Sequence, residues 1–415
     1  MKPIERLEVY LRFTDTSISV GQMVSDNGKI FFKFDTSFLE KGLEISPFKL
    51  KLSDAILTPE TNIFNGLHGV FNDSLPDGWG RLLLDRTLLS KGISPNQITP
   101  LDRLAYIGSV GMGALTYKPE IAPEIKADKL LELDEISQEM NKVLAGTPSD
   151  IIEELFHLGG SSGGARPKIF VGYNPETNQL IHGMAEIPEG YDHWIVKFPS
   201  STDLPDIAQI EYAYYKMALA AGIEMSECKL FEGPSGKKYF ATKRFDRIHN
   251  DRLHLHSASG LLNDNFRYSN LDYGNIMDCA FRLENHVEAY SKVLRLAAFN
   301  VYSHNRDDHS KNISFLMNPT GEWTLAPAYD LTFSNSSHGM QSTMVAGESK
   351  APGQQHLLEL ANTFEVKNPQ TIINEVKNAI ADWEIYARDS NVSYDSKKLI
   401  AQALLEISKD QKYGL

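Results

Sequence analysis

Cysteine is nearly absent from this chain. Its 415 residues hold two, Cys228 and Cys279, at no CxxC spacing. That excludes a disulfide framework and a thiolate zinc site, and it points to a reducing compartment. Long apolar runs are missing as well: no window reaches eighteen consecutive apolar residues, so no membrane span is expected. The opening MKPIERLEVYLRF lacks the apolar stretch of a signal peptide, which makes the cytoplasm the expected location. Positive charge is in short supply. Lys and Arg number 41 against 54 Asp and Glu, a net charge of −13. This balance argues against free-standing affinity for nucleic acid or an anionic membrane, and leaves DNA contact to a partner that supplies positive charge. There is no internal repeat, no low-complexity tract and no GxxxxGK[ST] phosphate loop.

What is present has ordinary globular composition, 42% apolar and 23% charged, in a chain longer than one core supports. Two or three domains or lobes are expected. RLEVYLRF alternates, and KIFFKF follows the turn Asp26-Asn27-Gly28, a hairpin signal. In FNDSLPDGWGRLLLDRTLLSKGI, Pro76 fits a first helical turn with Ser74 as its cap, and Gly92 ends the helix. LDRLAYIGSVGMGALTYKPE reads as helix, turn and strand. Its Gly108, Gly111 and Gly113 suit a tight connection better than a phosphate loop, because no Lys-Ser/Thr follows. Residues 121–150 are acidic and helical in pattern, and mark the expected end of an N-terminal domain.

GGSSGGARPKIFV packs small residues ahead of an apolar strand. It reads either as a turn that cradles phosphate or as a flexible connection. Lys197 lies in the apolar strand HWIVKFPSS, either at an edge or reaching nucleotide phosphates from the interior. Glu211 falls in the first turn of a helix expected over 206–225, either favouring the helix dipole or pairing with Lys197. CKLFEG and KKYFATKRFDR follow as strands. Residues 155–247 therefore have the outline of a small nucleotide-binding lobe, and from 254 onward the pattern is mainly helical.

The densest polar cluster places His304, Asn305, Asp307, Asp308, His309, Lys311 and Asn312 within nine residues. Asn and Asp at this density defeat helix and strand patterns, so a loop is expected, clamped by the apolar LRLAAFNVY, ISFLM and WTLAP. Phosphoryl transfer needs cations on the phosphates, a carboxylate near the attacking hydroxyl and fixed geometry. Kinases place a base Asp and a metal-binding Asn five residues apart, with a second metal-binding Asp after a strand pair. Asp307, Asn312 and Asp330 have that arrangement. Glycine-rich turn, strand lysine, helix glutamate, D-x-x-x-x-N loop and later Asp come in the kinase order. Alternatively, His304, Asp307, Asp308 and His309 are ligands of a hydrolytic metal site. Asp308 reads as solvated or structural, and His309 as orienting the loop. His254 and His256 read as alternate residues on one strand face.

NRDDHSKN followed by LAPAYDL resembles the signature of the HipA family of serine/threonine kinases, the toxin components of bacterial toxin–antitoxin pairs. The resemblance spans nearly the whole chain. FNDSLPDGWGRLLLDR and LDRLAYIGSVGMGAL are similar to the family's N-terminal domain, GGSSGGARPK to its S-x-x-G-A-x-x-K phosphate loop and KRFDR to its hinge. It implies an α+β, HipA-like kinase fold: an N-terminal domain of strands and helices over 1–145, a nucleotide-binding lobe with the Gly-rich loop over 146–250, and an all-α catalytic lobe over 251–415.

The resemblance further implies an ATP- and magnesium-dependent protein kinase. Asp307 matches the catalytic aspartate, and Asn312 and Asp330 the magnesium ligands. Lys197 matches the lysine on the ATP phosphates, and Gly163, Gly164, Ala165 and Lys168 belong to the phosphate loop. Lys243, Arg244 and Phe245 match the segment facing the adenine, His309, Lys311 and Tyr329 lie near the nucleotide, and Glu211 supports. Ser161, with Ser162 as the alternative, matches an autophosphorylated serine whose phosphate would place negative charge where ATP binds. The implied partners are a small helix-turn-helix antitoxin (HipB-like) and a protein substrate such as an aminoacyl-tRNA synthetase. DNA is met only through the antitoxin complex, and no membrane is involved. GGARPK departs from the Gln-Glu pair of the best-known members, and HLHSASGLLN from an HQEDF-like phrase; both bear on substrate and specificity. Two other functions stay open: a non-catalytic co-repressor that carries a DNA-binding partner, and a kinase for a small-molecule hydroxyl.

Overall fold

The computed structural model describes residues 3–121, 130–149, 151–160, 163–183, 185–335 and 339–410. The first antiparallel sheet has the order Lys29–Phe34, Ser17–Asp26, Arg6–Arg12, Leu115–Lys118. Leu7, Val9 and Leu11 face inward from its third strand, the period-two pattern of a half-buried sheet. Asn27 and Gly28 both take positive φ, 49° and 76°, and close the tight hairpin that Asn-Gly favours.

Between Lys29–Phe34 and Leu115–Lys118 the two longest helices are Gly78–Ser90 and Pro100–Ile107. The first starts later than Pro76 suggests. Asp77 stands at its N-cap, and Ser74 Oγ instead accepts the Tyr117 hydroxyl at 2.7 Å. The glycine-rich turn after the second helix is a connector. The Gly111 carbonyl accepts from Arg244 and Arg247, and the Gly113 N–H donates to Asp246. Asp246 is fully buried between those two guanidinium groups. A satisfied buried charge cluster thus bolts this turn to residues 244–247.

The second sheet is antiparallel, in the order Gln179–His182, Lys168–Asn174, Asp192–Lys197, Lys238–Lys243, Cys228–Glu232. The helix Ile207–Ala220 connects its third strand in space to the edge hairpin. Beyond residue 250 the chain is not all helical. His254–Ser257, Ser314–Met317 and Trp323–Leu325 form a third sheet, which carries the polar loop on its middle strand. His254 and His256 are buried on it, bonded to the Ile45 carbonyl (2.8 Å) and to Asp73 (2.6 Å).

Two apolar cores hold these layers. One joins the first sheet (Leu7, Phe32) to Ile210 and Tyr214 and to the C-terminal helices through Leu294, Phe299 and Ile373. The other joins Trp79 and Leu83 to Met140, Leu155 and the second sheet through Ile169, Val196 and Tyr239. Both cores cross the lobes drawn from sequence, so the N-terminal segment packs against each side of the cleft between them. No helix among the described residues is long and apolar enough to cross a membrane.

Candidate active site

The cleft has an apolar end and a charged end. Phe170, Ile195, Met225, Phe240, Leu255 and Leu331 line the apolar end. The Phe245 ring packs on Tyr329, with centroids 5.5 Å apart. The Tyr329 hydroxyl donates to the Lys311 carbonyl at 2.7 Å and receives the Ser314 hydroxyl at 2.6 Å. Cys228 also lines this end, and burial pushes its thiol up to about 12, which leaves it an inert small hydrophobe.

At the charged end Lys197 bridges two carboxylates. Its Nζ lies 2.8 Å from Glu211 and 2.5 Å from Asp330. Burial disfavours the ammonium, but Asp330 and Glu211 outweigh it and hold the pKa above the ordinary lysine value. Burial likewise opposes ionisation of Asp330, and Lys197, Lys168 and Arg166 together hold its carboxyl well below the usual range. Asp330 sits in the left-handed region at φ 58°, a conformation uncommon for a residue with a Cβ. Glu211 stands beyond the first turn of its helix and is 4% exposed. It therefore points into the cleft and does not serve the helix dipole, which acts in the first turn. Its other oxygen meets Arg166 at 2.5 Å, and Arg166 also meets Asp203 at 3.1 Å. An unbroken ionic chain runs Asp203–Arg166–Glu211–Lys197–Asp330.

The glycine-rich loop is held from the N-terminal segment. The Trp79 N–H donates to the Gly164 carbonyl at 3.0 Å, and the Trp79 indole N–H to the Lys168 carbonyl at 3.1 Å. Gly78, at φ 37°, lies so close that a Cβ there would stand 2.6 Å from Ala165 Cα. Asp77 accepts the Gly164 N–H and pairs with Lys311 at 2.9 Å. Lys168 turns back to the Gly163 carbonyl at 2.6 Å. Burial lowers the Lys168 pKa, with Lys197 adding to the effect.

The polar loop rests on a buried network. Asn305 donates to Asn300 (2.9 Å), Asn300 to the Tyr273 hydroxyl (2.8 Å), and that hydroxyl to Asp308 (2.8 Å). Asp308 also receives Gln341 and the backbone N–H groups of Ser342 and Thr343. Every neighbour is a donor, which suits an ionised acceptor. Burial pushes the carboxyl up to about 6 against these bonds, so it is ionised at neutral pH. Asp308 is thus structural but not solvated. Asp307 is the opposite, with its side chain 56% exposed at the cleft mouth and His309 3.9 Å away. The cleft walls strip enough water from Asp307 to push its carboxyl up, Asp330 adds to that push, and His309 pulls against it. Such a shift favours a general base. The Asn312 amide nitrogen donates to the Asp307 carbonyl at 3.0 Å, which turns its oxygen away from that bond.

The structure brings Gly163, Gly164, Lys168, Lys197, Glu211, Lys243, Phe245, His309, Lys311, Asn312, Tyr329 and Asp330 to one cleft. Lys243 is paired there with Asp192 at 2.7 Å. Arg244 touches the cleft, but its guanidinium is committed to Asp246 and Gly111 and stacks on Phe170. Ala165 lies behind the loop under Gly78, and Asp307 stands at the rim. Ser161 and Ser162 fall outside the described residues. The four-residue metal alternative does not assemble. His304 stacks on Phe333 at 4.9 Å, Asp308 is buried in its network, and among the described residues no three His, Cys, Asp or Glu converge on a common point. Sequence reasoning missed Asp73, Asp77 and Met112, which line the cleft from the N-terminal segment. The only hint was the close packing of Asp, Gly and Trp in SLPDGWGR.

Comparison with known proteins bears on the fold. The sequence model of the HipA-like C-terminal domain matches residues 160–383, and that of the HipA N-terminal domain matches residues 8–118. The protein named "Putative kinase Y4mE" of Sinorhizobium fredii (strain NBRC 101917 / NGR234) is 27% identical over 335 residues, 75% of this chain and 74% of its own. Among solved structures, the HipA chain of a Shewanella oneidensis MR-1 complex of HipA, HipB and operator DNA superposes with a TM-score of 0.69. It is 18% identical, covering 97% of this chain and 95% of that one. That likeness establishes the fold, α+β with a mainly helical C-terminal part.

Proposed function

The chain belongs to the HipA family, and on that premise we propose that it is an ATP- and magnesium-dependent protein serine/threonine kinase of the HipA toxin type. The observation that carries the reading is the ionic chain Glu211–Lys197–Asp330 at the inner end of an otherwise apolar cleft, with Asp307 at its mouth. The residues suit both groups. Asp330 and the Asn312 amide oxygen are hard oxygen donors, the kind magnesium prefers. The slot beside Phe245 and Tyr329 suits a flat ring, and Lys197, Lys168 and Lys311 suit phosphates. When bound, magnesium and the lysines neutralise charge growing on the transferred phosphoryl group.

The chain's own residues do the rest. Glu211 fixes the Lys197 ammonium, the buried network beneath the loop fixes Asp307, and Asp307 takes the proton of an attacking hydroxyl at the rim. An exposed base at the mouth admits a hydroxyl on a protein segment, and the hydroxyl of Ser161, or Ser162, is a second acceptor, next to Gly163 in sequence. Negative charge added there would oppose nucleotide phosphates, which gives autophosphorylation an inhibitory sign. The Shewanella HipA is in complex with HipB and operator DNA. A net charge of −13 suits an equally basic, DNA-binding helix-turn-helix partner here, with DNA contacted through it.

The test is incubation of the full chain with radiolabelled ATP and magnesium, beside Asp307→Ala. Label on the peptide holding Ser161 and Ser162 is expected in the wild type, falling ~10²–10⁴-fold in the variant. No label together with no ATP binding by calorimetry overturns the reading. Equal labelling of Asp307→Ala moves the base elsewhere.

A further inference from the structure

Asp77 comes from the N-terminal segment, outside the phosphate-loop, hinge and catalytic-loop motifs to which the kinase reading gives nucleotide contacts. Yet it stands among the groups that reading assigns to phosphate. One carboxylate oxygen takes the Gly164 N–H, and the other lies 2.9 Å from Lys311 Nζ. Gly163, Gly164, Lys168 and Lys311 line the same cleft beside it. A phosphate oxygen and this carboxylate want the same donors, namely backbone N–H groups of small residues and a lysine ammonium. Gly164 has a single N–H, and two anions on it repel at contact distance, so carboxylate and phosphate compete for it.

We propose that Asp77 is the resident counter-ion of the phosphate pocket: its carboxylate holds the position of a nucleotide phosphate oxygen, and ATP binding displaces it from Gly164 and Lys311. The proposal rests on the kinase reading for the identity of the ligand. The neighbourhood supports an anion position. Burial alone would raise the Asp77 pKa, but Lys311, Lys168 and the Gly164 N–H hold it below the ordinary value. The backbone on either side stays put on displacement, since Trp79 keeps its bonds to the Gly164 and Lys168 carbonyls. Only the side chain has to turn. Asp77 is also the N-cap of the helix Gly78–Ser90 and makes no side-chain capping bond there. Once displaced, it has the Gly80 N–H of that helix start as an alternative partner, the Trp79 N–H being held by the Gly164 carbonyl. Nucleotide binding is thereby coupled to the first turn of an N-terminal helix.

The test compares the full-length wild type with Asp77→Asn and Asp77→Ser, titrated by calorimetry with ATP plus magnesium, tripolyphosphate and adenosine. Removal of the competing charge is expected to tighten ATP and tripolyphosphate about three- to thirtyfold and to leave adenosine within about twofold. Serine retains an acceptor for the Gly164 N–H and tests the charge apart from the hydrogen bond. A carboxylate that merely held the loop in shape would give weaker binding when removed. ATP binding that is unchanged or weaker in both variants therefore overturns the proposal. Hydrogen exchange on the wild type gives a reading that needs no variant. ATP should slow exchange at Gly80, whose N–H gains the displaced carboxylate as a capping acceptor, and unchanged or faster exchange there overturns the proposal. A wild type that binds tripolyphosphate but not ATP sinks the kinase reading instead.

Discussion

The loop that carries Asp307 rests on buried, mostly neutral hydrogen bonds, whereas the glycine-rich loop opposite is held by charges and by backbone contacts from a remote segment. Beneath the first, Asn305, Asn300, Tyr273 and Asp308 form one chain that solvent and ligand do not reach. Around the second, Asp77, Gly78 and Trp79 grip residues 164–168; of these three only Asp77 lines the cleft, so the charged part of that grip is open to competition. The difference fits the work proposed for each loop. A base must keep its geometry through every turnover, so its support should contain nothing that a substrate can exchange. A phosphate pocket must admit and release an anion, so its charges should be satisfied by something that can leave.

The sharpest way to break the comparison is to truncate the two neighbouring aspartates separately. Asp308→Ala leaves the Tyr273 hydroxyl, the Gln341 amide and two backbone N–H groups facing an apolar methyl. It should cost on the order of 3 kcal/mol in urea unfolding, since several buried donors lose their partner. Asp307→Ala, at an exposed position, should change stability by less than about 0.5 kcal/mol while abolishing ~10²–10⁴-fold of phosphoryl transfer. If the two variants lose similar stability, the division between structural and reactive aspartate fails.

These two residues also mark how far sequence reaches. Adjacent in NRDDHSKN, they have the same chemistry, and only the five-residue spacing to Asn312 favoured Asp307. The loop, the strand lysine, the later Asp330 and the hairpins were legible because each is a local pattern with its own spacing or turn chemistry. The partners of Asp308 were not, because Gln341, Ser342 and Thr343 follow more than thirty residues later in a segment with no periodicity. Asp77 was hidden for a stronger reason. It lies 87 residues from Gly164 along the chain, and only the packing of both cores brings the N-terminal helix under the loop. Glu211 was placed in the wrong turn, since a helix starting at 206 or at Ile207 ends its first turn before residue 211, and its pairing with Lys197 depended on a burial that sequence did not fix.

Stability also depends on pH through the buried groups, with opposing contributions that leave a smaller net change. Burial raises the Asp308 carboxyl to about 6, above its unfolded value of about 3.9. Between these values the folded state binds more protons than the unfolded chain, so stability from this group falls as pH rises from about 4 to about 6, by up to about 3 kcal/mol. Buried His68, His193 and His254 act with the opposite sign. Burial, the largest cause for each, lowers them to about 4, 3 and 3. They bind fewer protons when folded, so their contribution is lost as pH falls below about 6.5. Urea unfolding of the wild type from pH 4 to 7 should therefore show partly cancelling slopes. Asp308→Asn removes one of them, and its stability should rise more steeply with pH across that window. Parallel curves would mean that Asp308 is ionised throughout, with its donors outweighing burial.

The smallest expected effect tests the other loop. In Gly78→Ala the new Cβ meets Ala165 Cα and the Gly164 carbonyl oxygen at 2.6 Å, on a backbone at φ 37°. Both the contact and the left-handed backbone are unfavourable, and together they should cost about 2 kcal/mol. The contacted atoms are backbone, so a side chain cannot simply swing aside. Trp79 still holds the far end of the loop through its indole N–H on Lys168, which puts the displacement at Gly164. ATP binding by calorimetry should weaken, because Gly164 is the part of the loop that meets the phosphates in the proposed complex. Asp77→Asn, one residue away, should do the reverse and tighten it. Opposite signs from neighbouring positions would separate the two halves of the grip: Gly78 and Trp79 set the shape of the loop, and Asp77 supplies the charge that a nucleotide replaces. Weakening in both would make the whole segment a scaffold, and the glycine-rich loop would then be held as inertly as the catalytic one.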